Sequence, residues 1–376
     1  MLRGAALCLG LMSGTSLDGV DAALLVTDGE TASAAGPSLT LTYPPEMRER
    51  LRGILGGVGP VAEVEREITL FHAEAARALL AHAGRAAAEI AVAGFHGHTI
   101  LHRPERGRTW QIGDGALLAA QLGVPVVCDF RSADVAAGGQ GAPLVPVFHR
   151  ALAGGMPRPL AVLNVGGVAN ITYIGAGDDE GALLAFDTGP GNALLDDWAL
   201  RHTGQPMDQG GALARQGRAD EAAVCRFLAH PYFTRRPPKS LDRDDFAALA
   251  GELTAHLGAA DGAATLAALT VAGVAATREH LPEPPRRWLV CGGGRRNPHL
   301  MERLREALAA PVDPVDVEGW DGDALEALAF AHLAARSLRG LPITWPGTTG
   351  VRAPLTGGRL FLPLARDGVE TTNRGL

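Results

Sequence analysis

The sequence predicts an α/β protein of two domains built on a repeated plan. Its 376 residues exceed the roughly 250–300 at which a single hydrophobic core stops growing. Apolar runs of strand length alternate with stretches of helical periodicity, the pattern of α/β architectures. The order strand, glycine turn, strand opens the chain at Ala5 and recurs at Leu160. Between them, the uncharged, glycine-rich segment Gly138–Pro143 is the expected boundary. The expected domains are therefore 1–142 and 143–376, with the C-terminal tail able to pack on either.

Ala5–Met12 is an apolar run ending in the small-residue turn Ser13–Gly19, and Val20–Val26 returns as a second strand. Val61, Val64, Ile68, Phe71, Ala75 and Leu79 recur at steps of three and four. That spacing predicts a helix over Val61–Ala83, closed by Gly84. Ile90–Phe95 is a strand leading to His96, Trp110–Ile112 is another, and Asp114 then caps a helix through Gln121. Val124–Phe130 reads as a buried strand. In the second half Leu160–Val165, the turn Gly166–Gly167 and Ala169–Ile174 form a hairpin. Ala182–Phe186 is a strand that runs into Asp187–Asn192 and a helix. Helices are expected over Arg218–His230, Asp244–His256, Ala263–His280, Pro298–Leu308 and Asp323–Leu338. Trp288–Cys291 is one more strand, followed by Gly292–Gly294. No short-period repeat is present, which excludes a solenoid.

With 47% hydrophobic and 20% charged residues the chain can bury a full core. Its net charge of −7 argues against a nucleic-acid partner, which calls for a basic domain or stripe. Cys8, Cys128, Cys225 and Cys291 lie far apart without a CxxC pair, and three of them sit in strand-like runs. They read as buried thiols, which favours a reducing compartment and a cytoplasmic location. The N-terminal apolar stretch enters a turn without a cleavage pattern and reads as a first strand. No apolar run is expected to reach the ~20 residues that span a bilayer, so no membrane partner is expected either.

Several motifs carry chemistry. Ser13–Gly19 combines glycines, hydroxyls and Asp18: glycine N–H groups can cradle phosphate, and the acid can hold a magnesium-bound water. The same residues also make an ordinary hairpin turn, and no Walker Gly-Lys-Ser/Thr is present. Asp187 ends its strand before a turn that opens a helix, a position that projects a carboxylate into an interdomain crevice. Asp is also a good helix cap, but Thr188 and Asn192 are the closer caps, which leaves Asp187 available. Asn164–Asn170 is the second-half counterpart of the first turn, and facing glycine turns fit the two ends of a triphosphate. Val290–Asn297 offers its glycine backbone to an adenine ring, or is a plain strand-to-helix turn. His96 and His98 share a strand face at i and i+2, with His102 nearby. No carboxylate or Cys joins them, so a sugar-hydroxyl contact or a structural role outweighs a metal site. Arg131 suits a substrate carboxylate or a surface ion pair. Glu326 opens a predicted helix, where an acid also favours the macrodipole.

Taken together the motifs resemble the anhydro-N-acetylmuramic acid kinase family, a bacterial branch of the superfamily of sugar kinases, heat-shock ATPases and actin. The matching stretches are Gly10–Asp21, Phe95–Thr99, Gln111–Asp114, Asp129–Arg131, Gly139–Pro146, Asn164–Ile171 and Phe186–Asn192. They continue with Pro238–Ser240, Cys291–Gly294 with Asn297, and Glu326–Phe330. Two departures are His98, where the family usually has Gln, and Leu241–Asp244, where it usually has Ser-Thr-Gly-Arg-Glu.

The resemblance implies two actin-like (ribonuclease H-like) domains around a central nucleotide and sugar cleft. It implies ATP, with Mg2+ carried by the nucleotide near Asp18 and no other metal assigned. Nucleotide binding is expected at Gly14, Thr15, Ser16, Leu17, Asp18, Gly19, Val20 and Asp21. The same role is expected at Asn164, Gly166, Gly167, Asn170, Gly292, Gly293, Gly294 and Asn297. Ser13, His96, Arg131 and Glu326 are expected at the sugar, and Asp187 as the catalytic base. The implied reaction turns the 1,6-anhydro sugar, ATP and water into N-acetylmuramic acid 6-phosphate and ADP during peptidoglycan recycling, by a homodimer. The rival readings are a kinase of another hexose or amino sugar, a nucleotide-switched ATPase, and a metal hydrolase using His96 and His98.

Overall fold

Two sheets carry the chain, and both follow one strand order. The computed structural model describes residues 4–14, 16–33, 36–177 and 179–363. They divide into two compact units: residues 4–133 with 326–341 and 356–363, and Asp134–Leu325 with Pro342–Leu355.

In the first unit the strands are β1 (Ala6–Ser13), β2 (Gly19–Thr27), β3 (Ser38–Thr42), β4 (Val92–Arg103), β5 (Arg108–Ile112) and β6 (Val126–Cys128). Their order is β6-β4-β1-β2-β3, with β5 paired to β4 and the strand Arg359–Phe361 beyond β6. β1, β2 and β3 form an antiparallel meander, while β4 and β6 run parallel to β1. The helix Val61–His82 forms as its periodicity dictates and buries Val64, Ile68, Ala75 and Leu79. The helix Leu325–Leu338 returns to this unit and seats its backbone on bare strand: a Cβ on Gly10 would lie 1.7 Å from the Ala327 carbonyl oxygen.

The second unit contains β7 (Leu160–Val165), β8 (Val168–Ile174), β9 (Leu183–Pro190), β10 (Arg287–Cys291) and β11 (Val312–Pro314), in the order β11-β10-β7-β8-β9. Again three strands meander antiparallel and two run parallel to the first. The repeat of this order in both units is the duplicated topology that the sequence predicts. The core contains Leu163, Ile171, Phe186, Trp288 and Val290, with Leu300 and Leu304 of the helix Pro298–Ala307. The segment Ala259–His280 is long and apolar enough by composition to cross a membrane, contrary to the expectation that no run reaches that length. Most of it is buried within the unit, where Ala, Leu and Val side chains give the apolar count.

The units do not divide at Ala142. Gly138–Pro143 reads as a linker because it is small and uncharged, yet Asp134 ties it down. The Asp134 carboxylate accepts hydrogen bonds from Gly141 N (2.6 Å) and Thr349 Oγ1 (2.6 Å), and Gln140 N donates to Thr349 O (2.7 Å). The segment therefore belongs to the second unit, and the change of unit falls between Ala133 and Asp134.

Candidate active site

In the first unit β1 ends at Ser13 and β2 begins at Gly19, so the turn expected at phosphate is a β-hairpin turn. Leu17 adopts φ 60°, and its N–H donates to Gly14 O at 3.2 Å. Leu17 and Val20 bury their side chains in the core, so only their backbone is available to a ligand, whereas Ser16 and Asp18 are exposed. Gly19 has no room for a side chain, since a Cβ would lie 2.3 Å from Leu41 O. Asp21 accepts from Thr40 Oγ1 at 2.6 Å. Thr15 lies outside the described residues.

The residues expected at the sugar form two groups in this unit. Ser13 pairs with His98 across β1 and β4. Its Oγ lies 2.9 Å from His98 Nδ1 and accepts from Tyr43 OH at 2.8 Å. His96 turns to different partners: Arg131 Nε and Nη2 lie 3.2 and 3.1 Å from its Nε2, and its ring lies 4.6 Å from that of Phe330. The two histidines therefore do not form a pair on one face. Gly97 between them adopts φ 72° and the β1–β4 register shifts between Leu11 and Ser13, which breaks strand alternation. Burial and the adjacent Arg131 charge hold His96 well below its usual pKa, and burial pulls His98 down to about 4. Both imidazoles are neutral near pH 7. Glu326 keeps an exposed side chain, yet surrounding protein desolvates its charged form and raises its carboxyl. The Arg131 charge opposes that rise and Asp21 adds to it.

In the second unit the glycine turns emerge side by side. β7 and β10 are parallel neighbours with Cys291 opposite Asn164, which brings Gly166–Gly167 next to Gly292–Gly294. Gly292 adopts φ 73°, and a Cβ there would lie 2.4 Å from Asn164 Oδ1. Asn192 N donates to Gly166 O (2.7 Å) and Asn192 Nδ2 to Val165 O (3.0 Å), pinning the same turn from a third strand end. Asn297 is buried and caps the helix Pro298–Ala307, its Oδ1 accepting from Leu300 N at 3.1 Å.

Asp187 sits within β9, opposite Asn170, because the strand continues to Pro190 rather than ending at Phe186. Its carboxylate caps no helix. Oδ2 accepts from Leu241 N at 2.7 Å, and Oδ1 makes no hydrogen bond among the described residues. Thr188 Oγ1 donates to Ala169 O at 3.2 Å, and Asn192 makes no side-chain cap bond, so neither of the expected caps acts as one. Burial pushes the Asp187 carboxyl up to about 7; the Leu241 N–H lowers it, while Asp242 and Asp245 raise it further. A carboxylate of this kind can take a proton from water near neutral pH.

The family model for anhydro-N-acetylmuramic acid kinase matches residues 6–363. The chain belongs to this family. Curated relatives bearing that name include one from Paramagnetospirillum magneticum, 63% identical over 357 residues, spanning 95% of this chain and 100% of its own length. Another, from Rhodospirillum rubrum, is 58% identical over 360 residues and spans 94% of each chain. A third, from Gluconobacter oxydans, is 58% identical over 360 residues, spanning 93% of this chain and 98% of its own.

The loop Leu241–Asp244 touches Asp187 through the Leu241 N–H and the Asp242 charge. Sequence reasoning passed over Tyr43, which donates to Ser13, and Tyr232, whose OH donates to Asp187 O at 2.5 Å. Both act across long sequence separations. No local spacing marks either of them.

Proposed function

We propose that this protein is an ATP-dependent kinase that opens the 1,6-anhydro ring of anhydro-N-acetylmuramic acid and phosphorylates O6. Asp187 takes a proton from water as the water oxygen attacks the anomeric carbon. The bond from that carbon to O6 breaks, and the released O6 attacks the γ-phosphorus, expelling ADP. The products are N-acetylmuramic acid 6-phosphate and ADP, the chemistry of peptidoglycan recycling. One positioned base contributes about 10²–10⁴-fold, with alignment and charge neutralisation contributing the rest.

The observation that carries this reading is the Asp187 carboxylate, with one oxygen held by Leu241 N–H, the other without a hydrogen bond among the described residues, and its pKa pushed up by burial to about 7. The backbone of Gly14–Asp21 and the turns Gly166–Gly167 and Gly292–Gly294 are assigned to the nucleotide, and Ser13, His96, Arg131 and Glu326 to the sugar. Magnesium enters with ATP, and the exposed Asp18 is the group suited to one of its waters. A cytoplasmic homodimer completes the assignment. The buried thiols of Cys8, Cys128 and Cys291, none of them in a disulfide, support the reducing compartment.

Mass spectrometry of the products from anhydro-N-acetylmuramic acid, ATP and magnesium tests the proposal. A mass gain of one phosphate plus one water is expected. Phosphorylation without water uptake, or turnover of ordinary hexoses alone, overturns it.

A further inference from the structure

Lys239 is the only lysine in the chain; all the other basic residues among the 34 are arginine. It is also 5% exposed, and among the described residues no carboxylate pairs with it. Its Nζ donates to Tyr232 O at 3.0 Å and to Phe233 O at 3.4 Å. The ammonium lies 4.6 Å from the Tyr232 ring centroid and 5.7 Å from that of Phe186. His280 closes the cage, with Nε2 3.2 Å from Nζ and 2.7 Å from Phe233 O.

The backbone on either side of this anchor grips Asp187. Lys239 O accepts from Asp187 N at 3.0 Å, and two residues on, Leu241 N donates to Asp187 Oδ2 at 2.7 Å. Tyr232, whose carbonyl and ring both face the ammonium, donates its OH to Asp187 O. Three hydrogen bonds thus join Tyr232 and the segment Lys239–Leu241 to Asp187, one to its carboxylate and two to its backbone. Ser240, between Lys239 and Leu241, is exposed, while Leu241 packs against the apolar cluster that contains Phe227, Phe233 and Phe246.

We propose that Lys239 is a positioning residue: its ammonium pins the segment Lys239–Leu241 so that the backbone fixes the Asp187 carboxylate, leaving Oδ1 to take the proton. This rests on the reading of Asp187 as the base. The cage explains the choice of side chain. Two carbonyls and an aromatic face suit a compact ammonium, whereas a planar guanidinium brings five donors that the cage cannot satisfy. Burial and nearby Arg235 lower the Lys239 pKa to about 8, a shift open to lysine and not to arginine. The titratable and charged groups facing the pair are Tyr232, His280 and Arg235 at Lys239, and Tyr232, Asp242 and Asp245 at Asp187.

The test is the full-length enzyme carrying Lys239→Met, assayed for kcat, both KM values and the pH profile of kcat, beside Asp187→Asn. The expected result is a kcat loss of about 10²-fold, the effect of a misplaced catalytic group, with KM for ATP unchanged. The acid limb of the profile should also move up by about half a pH unit or more, because the N–H bond that lowers the carboxyl is loosened. A folded Lys239→Met with unchanged kcat and an unmoved acid limb overturns the inference. So does a kcat loss that only tracks the unfolded fraction with the limb unmoved. If Lys239→Met does not fold, Lys239→Arg decides: reduced kcat with a raised limb supports the role, and wild-type values overturn it. Failure of both variants to fold makes Lys239 structural and overturns it as well. Turnover by Asp187→Asn would instead remove the base reading itself, an outcome distinct from a silent Lys239.

Discussion

Ser13 and His98 face each other across the parallel strands β1 and β4, hydroxyl to Nδ1 at 2.9 Å, and Tyr43 completes the chain from the other side. Tyr43 donates to the Ser13 oxygen, and the Ser13 hydroxyl shares the next hydrogen bond with His98 Nδ1. Ser13 and His98 are almost fully buried. Removing Ser13 Oγ therefore strands the Tyr43 hydroxyl and His98 Nδ1 together, while removing the Tyr43 hydroxyl leaves the Ser13–His98 bond intact. Ser13→Ala is expected to cost about 1–3 kcal/mol for each stranded group, and Tyr43→Phe less. Urea unfolding of the two variants checks the order. Equal losses would mean that Ser13 does not bridge its neighbours.

The Asp187 carboxyl, pushed up to about 7, sets a pH dependence with a definite sign. A base works only when ionised. Turnover should therefore fall about tenfold per pH unit below pH 7 and level off above it. Asp187→Asn should abolish turnover at every pH while ATP binding persists. A rate profile flat from pH 5 to 8 in the native enzyme would show that another group takes the proton.

The same shift makes Asp187 a stability liability. Its native pKa is raised above the unfolded value near 3.9, so the native state holds a proton that the unfolded chain releases between about pH 4 and 7. Stability from this group is therefore full below pH 4 and lost as pH rises through about 7. Asp187→Asn keeps an oxygen for Leu241 N–H and removes the buried charge. It should melt higher than the native protein at pH 8, by about 2–4 °C per kcal/mol recovered, and match it near pH 4. A lower melting temperature at pH 8 would contradict the sign.

Strands and helices with their own periodicity were legible from residues alone: the Val61–His82 helix and both opening hairpins lie where the apolar spacing predicts. The edge strand β3 was not, because Ser38–Thr42 is half-exposed and its state comes from pairing with β2 rather than from apolar alternation. The short helix Pro45–Gly53 is mostly charged and buries only Leu51, so its signal was equally faint. The glycine segment Gly138–Pro143 read as a boundary because composition does not reveal the Asp134 bonds that hold it. At the site, Asp187 was visible as a carboxylate before a glycine turn. Its contact with Leu241 spans 54 residues, and only the fold brings the two together. His96 and His98 were expected on one face, and a single positive φ at Gly97 sends them to different partners.

A last prediction concerns how the helix Leu325–Leu338 holds Glu326 and Phe330. The helix lies on β1 and β4 with no side chain between: a Cβ on Gly10 would fall 1.7 Å from Ala327 O, and one on Gly94 1.9 Å from Phe330 O. Both obstacles are backbone carbonyls, so no rotamer change relieves them, and the helix must move away from the sheet. Gly10→Ala and Gly94→Ala should each cost stability at or beyond the upper end of the about 1–3 kcal/mol typical of overpacked cores. Glu326 directly precedes Ala327, and Phe330 carries the ring packed on His96. The shift should therefore also raise KM for the sugar several-fold and leave KM for ATP less affected. Denaturant midpoints with the two KM values check this. Wild-type stability in both variants would mean that the helix is not seated on these glycines.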